Sequence, residues 1–204
     1  MTPGDHRLTV TCDITDHAHV AALMAAADAR FGRIDVLMVD PAGAGGAGPG
    51  DPPSHELLRE TVRMQLLGLW NCVREAGARM LPRGAGAVIV VTSAPGRGDD
   101  PFFPPAHRAT AAALEGMTRN LALSWAGRGV RVNALAPGIG DPGALVGPLR
   151  FLAGEASRHV NGHTLVVDDG ASVGLGHTRA DDHAYEFHAV PPPDEVGGHP
   201  FWPG

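Results

Sequence analysis

Lysine is absent from this chain, so all 16 positive charges are arginine. Chemistry that needs a lysine amine, as a Schiff base or as a proton relay, is therefore excluded. Arginine can supply the charge but does not deprotonate in proteins. Tyrosine occurs once, as Tyr185. Cysteine is scarce too. Cys12 and Cys72 are the two present, and neither stands in a Cys-x-x-Cys, so they make no disulfide framework. No apolar run is long enough to span a bilayer, and the start of the chain does not read as a signal peptide. The expected location is cytoplasmic. A surplus of positive charge is also missing. The net charge of −6 gives no electrostatic footprint for nucleic acid.

Glycine, with 28 residues, and proline, with 18, are abundant. Many of them fall between Pro41 and Pro53 and after Val190. Between these stretches the pattern is that of an α/β protein. Ala87 to Thr92 is a short β-branched run suited to a buried strand. Ala113, Leu114, Met117, Leu121, Leu123 and Trp125 recur at helical spacing and predict a helix over 109–126. Val130 to Ala136 is a second buried strand, closed by Pro137-Gly138. Strand, helix and parallel strand make one crossover unit, whose ligand side is the carboxyl end of the strands, where Ser93 and Pro137-Gly138 lie.

The same reading extends both ways. Leu8 to Cys12 predicts a strand. Asp16 caps a helix over His17 to Phe31, and Val36 to Val39 is the next strand. Ser54 caps a long helix to Met80, with Leu57, Leu58, Val62, Leu66, Leu69 and Val73 as its apolar stripe. A helix over Ala144 to Leu152 and a strand over His163 to Val167 follow. The expected fold is a doubly wound parallel sheet of about five strands with flanking helices. Residues 1–176 form the domain, and 177–204 form a Pro/Gly-rich arm with Phe187, Phe201 and Trp202 as apolar anchors.

The segments VVTSAPG, AALEGMTRNLAL and VRVNALAPG resemble the second half of a short-chain dehydrogenase/reductase. The resemblance covers about Leu8 to Gly174 and begins at the family's third strand. It implies a truncated Rossmann-like fold and, for an ordinary member, NAD(P)-dependent oxidoreduction of alcohols and ketones. The family's catalytic serine falls on Ser93, its tyrosine on His107, its lysine on Ala111 and its asparagine on Gln65. Cofactor contacts implied by the resemblance fall on Asp13, on Ala42-Gly43 after the Val36 strand, and on Pro137-Gly138. The family's Gly-rich pyrophosphate turn has no counterpart. Ala42 to Gly50 is rich in glycine but runs into Asp51-Pro52-Pro53 rather than into a helix. The family also pairs subunits through helices matching 54–80 and 109–126, which implies a homo- or hetero-oligomer.

With the Leu8 strand left beside a gap, its expected place is against Val36–Val39, whose edge would otherwise be bare; the alternative is that a partner chain covers that edge. The tail residues His177, Asp181, Asp182, His183 and His188 match no metal-ligand spacing, so no metal is expected. With neither a Tyr-x-x-x-Lys nor the phosphate turn, no cofactor is expected, unless family activity survives or NAD(P) is shared with a partner. The resulting expectation is a family member without reductase activity of its own, serving as a structural or regulatory subunit of a catalytic homologue. Two alternatives stand beside it. One is an enzyme acting on a carbonyl compound through Ser93 and His107. The other is a decayed NAD(P)-dependent oxidoreductase.

Overall fold

Four parallel strands in simple sequential order form the sheet: β1 (Val36–Val39), β2 (Gly86–Val91), β3 (Val130–Pro137) and β4 (Thr164–Val167). The structure is a computed structural model that describes residues 7–41, 54–93, 105–138, 142–170 and 172. Helices precede and connect the strands: α1 (His17–Phe31), α2 (His55–Val62), α3 (Leu69–Arg83), α4 (Pro105–Trp125) and α5 (Val146–Ala153). A π-helical segment, Arg63–Gly68, joins α2 to α3. The expected arm over 177–204 lies outside the described residues.

Local chemistry explains the helix ends. Asp16 accepts hydrogen bonds from the amides of Ala18 and His19 and starts α1, and Gly32 stops it in a left-handed conformation. Ser54 accepts from the Leu57 amide and starts α2. Gly84 ends α3 with its amide donating to Met80 and Leu81. Helix α4 begins earlier than the apolar spacing implies. Its first residue is Pro105, whose fixed φ suits a first helical turn. That earlier start lifts His107 out of a loop and onto a helix.

The pleat divides the core in two. Val88 and Val90 of β2 and Val130, Val132 and Ala134 of β3 face α1, α3 and α4, where they meet Val20, Met24, Leu69, Val73, Met80 and Leu114. Ile89 and Leu135 face the other way and pack on Leu152 of α5. Two asparagines stitch β3 to the β4 side. Asn133 donates to Val160 O at 2.9 Å and accepts from His163 N at 3.0 Å, while Asn161 accepts from Val132 N at 2.8 Å. Cys12 and Cys72 are free thiols, and burial pushes Cys72 up to about 11.

Three expectations are corrected. Leu8–Cys12 forms no strand and does not pair with β1. Residues 7–13 are irregular, with Leu8 and Val10 about two-fifths exposed. The sheet among the described residues therefore has four strands rather than five, and β1 is its edge. The segment instead docks on the helix side: Asn71 of α3 donates to Ile14 O at 3.0 Å, and Ile14 presses on Gly68. A segment held there cannot also line up along β1. The third correction is Leu123, read as part of the apolar stripe of α4, which is 76% exposed.

Candidate functional site

The carboxyl ends of β1 and β2 open into a cavity of about 210 Å³. Asp40 and Pro41 enter it from the end of β1, Val91, Thr92 and Ser93 from the end of β2, and His107, Arg108, Ala111 and Leu114 from the first turns of α4. Gln65 completes the lining from the π-helical segment. Three residues expected to act together, Ser93, His107 and Gln65, thus face one space, with Ala111 in the same wall. The lining is mainly apolar with a few convergent polar groups, the usual character of a small-molecule site.

Gln65 is the least obvious member of this set, because a straight helix offers no reason for a polar side chain there. The wider π turn over Arg63–Gly68 changes the register between α2 and α3 and leaves Gln65 only 7% exposed. Such turns recur at functional sites. Gln65 Nε2 lies 3.0 Å from His107 Nδ1. On its other side, Gln65 Oε1 accepts from the hydroxyl of Thr110, which is 1% exposed. Thr110 was missed in the sequence. Its only signal there is its place three residues beyond His107, on the same helical face. Thr92 holds the other wall, with its amide donating to Leu135 O at 2.8 Å and its hydroxyl to Ala111 O at 3.5 Å.

Of the cofactor positions implied by the resemblance, the described ones, Asp13, Pro137 and Gly138, do not line this cavity. Asp13 is exposed, and its carboxylate accepts from both the amide and the hydroxyl of Thr15, at 2.9 and 2.7 Å. Those bonds, the hydroxyl's first, hold it below the usual aspartate range. Arg63 reaches the same hydroxyl and pairs with Glu60 at 2.8 Å. Pro137 and Gly138 are bound sideways to β4, with the Gly138 amide donating to Val167 O at 2.9 Å. A Cβ at Gly138 would sit 2.6 Å from the Cβ of Asp168. Asp168 accepts from the amides of Ser172 and Gly170, at 2.7 and 3.0 Å, and is held low chiefly by Ser172. Ala42 and Gly43 lie outside the described residues, as do the tail histidines and aspartates.

A dinucleotide can be tested against this architecture. In open parallel sheets it lies in the crevice where strand order reverses, with its pyrophosphate at a helix N-terminus after the first strand. Among the described residues the order runs β1-β2-β3-β4 without reversal, and no strand precedes β1. The described residues therefore contain no point of reversed strand order of that kind. Among them there is also no group of three His, Cys, Asp or Glu side chains placed to hold a metal ion, and no helix long and apolar enough to cross a membrane.

Known proteins share both sequence and fold with this chain. The Enoyl-(Acyl carrier protein) reductase family matches residues 2–148. Cis-4-hydroxycyclohexanecarboxylate dehydrogenase of Sinomonas cyclohexanicum is 34% identical over 200 residues, spanning 82% of this chain and 77% of that protein. D-threitol dehydrogenase of Mycolicibacterium smegmatis is 31% identical over 198 residues, spanning 83% and 75%. A crystal structure of gluconate 5-dehydrogenase from Burkholderia cenocepacia, in complex with NADP and tartrate, superposes with a TM-score of 0.71 at 28% identity, covering 79% of this chain and 73% of that one. By sequence and by fold, the chain belongs to the short-chain dehydrogenase/reductase family.

Proposed function

We propose that this member of an oxidoreductase family binds a small hydroxy or carbonyl compound in the Gln65–Ser93–His107 cavity but does not transfer hydride on its own. One observation carries the reading. Ala111 stands in the cavity wall where the family places its lysine, in a chain that has no lysine to put there. Ser93 and His107 supply hydrogen bonds to an oxygen of the ligand. Among the described residues of the wall, none supplies the ammonium relay that a hydride-transfer site of this family needs. The redox half of the reaction then falls to a partner, a catalytic homologue that brings NAD(P) and packs on helices α2–α3 and α4. Large apolar residues stand exposed on those helices, among them Trp70 at 47% and Leu123 at 76%.

The relatives' names favour a second reading, an autonomous NAD(P)-dependent dehydrogenase of a hydroxy acid or polyol. One experiment separates the two. The purified protein is titrated with cis-4-hydroxycyclohexanecarboxylate, D-threitol and tartrate while amide resonances are followed, and NAD(P)H turnover is assayed in parallel. The expected result is saturable shifts near Gln65, Ser93 and His107 without turnover. Ser93→Ala and His107→Ala should each weaken binding about fivefold, the value of roughly one hydrogen bond. Turnover by the lone protein would establish the second reading, and an absence of any ligand shift would overturn the first.

A further inference from the structure

The Gln65–Thr110 pair does more than fill the wall of the cavity. Thr110 has one hydroxyl proton and three acceptors within reach: Gln65 Oε1, which is the nearest, and the carbonyl oxygens of Ala106 at 3.0 Å and His107 at 3.1 Å. Donated to Gln65, the nearest of the three, that proton sets which end of the amide points where. A primary amide has one accepting and one donating end. With Oε1 turned toward Thr110, Nε2 is turned toward His107, 3.0 Å from Nδ1. Amide nitrogen only donates, so Nδ1 of a neutral His107 must be the accepting nitrogen, and the imidazole proton must sit on Nε2.

We propose that Gln65, locked by Thr110, is a positioning residue that holds His107 in its Nε2–H tautomer, so that the imidazole presents a hydrogen-bond donor to the ligand. Both locking residues are buried, at 7% and 1% exposure, whereas His107 is partly exposed in the cavity wall. The chain of donors therefore runs outward in one direction: Thr110 hydroxyl to Gln65 oxygen, Gln65 nitrogen to His107 Nδ1, and His107 Nε2–H to the cavity. A carbonyl or alkoxide-like oxygen is the ligand atom that such a donor selects. The donor role rests on the ligand-binding reading above, but the tautomer exists without ligand and can be read without it.

The test is long-range ¹H–¹⁵N NMR of the ligand-free protein, recorded in alkaline buffer, where imidazoles are neutral, and assigned by comparison with His107→Gln. The expected spectrum has a pyrrole-like Nε2 and a pyridine-like Nδ1. In Gln65→Glu a carboxylate replaces the donor, and the Nδ1 resonance should move from pyridine-like to pyrrole-like. In Thr110→Val the amide is free to turn, and an equal mixture of tautomers would weaken ligand binding about twofold. A wild-type His107 protonated on Nδ1 overturns the proposal, as does a Gln65→Glu spectrum with Nδ1 still bare. The wild-type spectrum decides even where a variant fails to fold. Were the tautomer as expected but the protein blind to every hydroxy compound, the functional reading would fall and the tautomer assignment would stand.

Discussion

Gly129 lets the chain pass from α4 into β3. Its φ is +75°, and a Cβ there would lie 1.8 Å from the carbonyl oxygen of Gly84. Gly84 is the left-handed stop of α3, with φ +67°. Two glycines thus meet back to back where α3 ends and β3 begins, each needed for its conformation and one also for its lack of a side chain. Gly129→Ala should cost about 3 kcal/mol, the sum of a left-handed alanine and a backbone displacement. Gly116, in the middle of α4, makes the contrast, because a Cβ there meets nothing within 4 Å. Gly116→Ala should stabilise by about 0.5–1 kcal/mol through helix propensity and a less free unfolded chain. Urea unfolding of the two variants checks both signs, and equal effects would mean that the contact between Gly84 and Gly129 is absent.

Elements are tied to each other by charge as well as by packing, most clearly where α1 lies on α3. Arg79 of α3 donates to Asp28 of α1 at 2.6 Å and to Glu75 at 2.9 Å, and His17 of α1 lies 2.9 Å from Glu75. Arg79 first, then His17, holds the Glu75 carboxyl below the usual glutamate range. A depressed carboxyl contributes stability above its unfolded value and loses it as pH falls through the folded one. The α1–α3 junction should therefore weaken as pH falls below about 4.3, the ordinary glutamate value, and Glu75→Gln should flatten the acid limb of the stability profile. A variant with the wild-type acid limb would remove Glu75 from the account. Helix α1 was fully legible in the sequence because Asp16 and Gly32 are local signals that act on their own backbone. The irregular path of Leu8–Cys12 was not, because a strand needs a neighbour, and the β-branched pattern of that segment says nothing about which surface will hold it. The π turn was hidden for a related reason. Nothing local in RMQLLG demands it, and its effect is felt only through Thr110 and His107 on another helix.

At the scale of the molecule, the two faces of the sheet are unequally covered. Val36 and Met38 of β1 lie on the Ile89 side, the side α5 covers over β2 and β3, and remain 40% and 36% exposed. All-parallel sheets are normally covered on both faces, so this molecule exposes apolar surface both at its edge strand and along its helices. The helix surface is the one that the proposed pairing uses. Leu58, Val62, Leu67 and Trp70 of the α2–α3 run, and Leu123 of α4, stand between 40% and 76% exposed. Leu123 is 76% exposed, so Leu123→Glu should change the stability of the lone chain by no more than about 0.5 kcal/mol, whereas Trp70→Glu uncovers the buried half of the ring and should cost about 1–2 kcal/mol. The same two charges, placed within a paired helical face, would be buried without partners and should dissociate it. Sedimentation of the wild-type chain, alone and co-expressed with catalytic family members, should give a dimer or larger species. The Trp70→Glu, Leu123→Glu double variant should sediment as a folded monomer, its unfolding midpoint lowered only by the share that Trp70→Glu alone takes. If the wild-type chain is monomeric under both conditions, the exposed face is not a pairing surface, and the redox half of the proposed function has no partner to supply it.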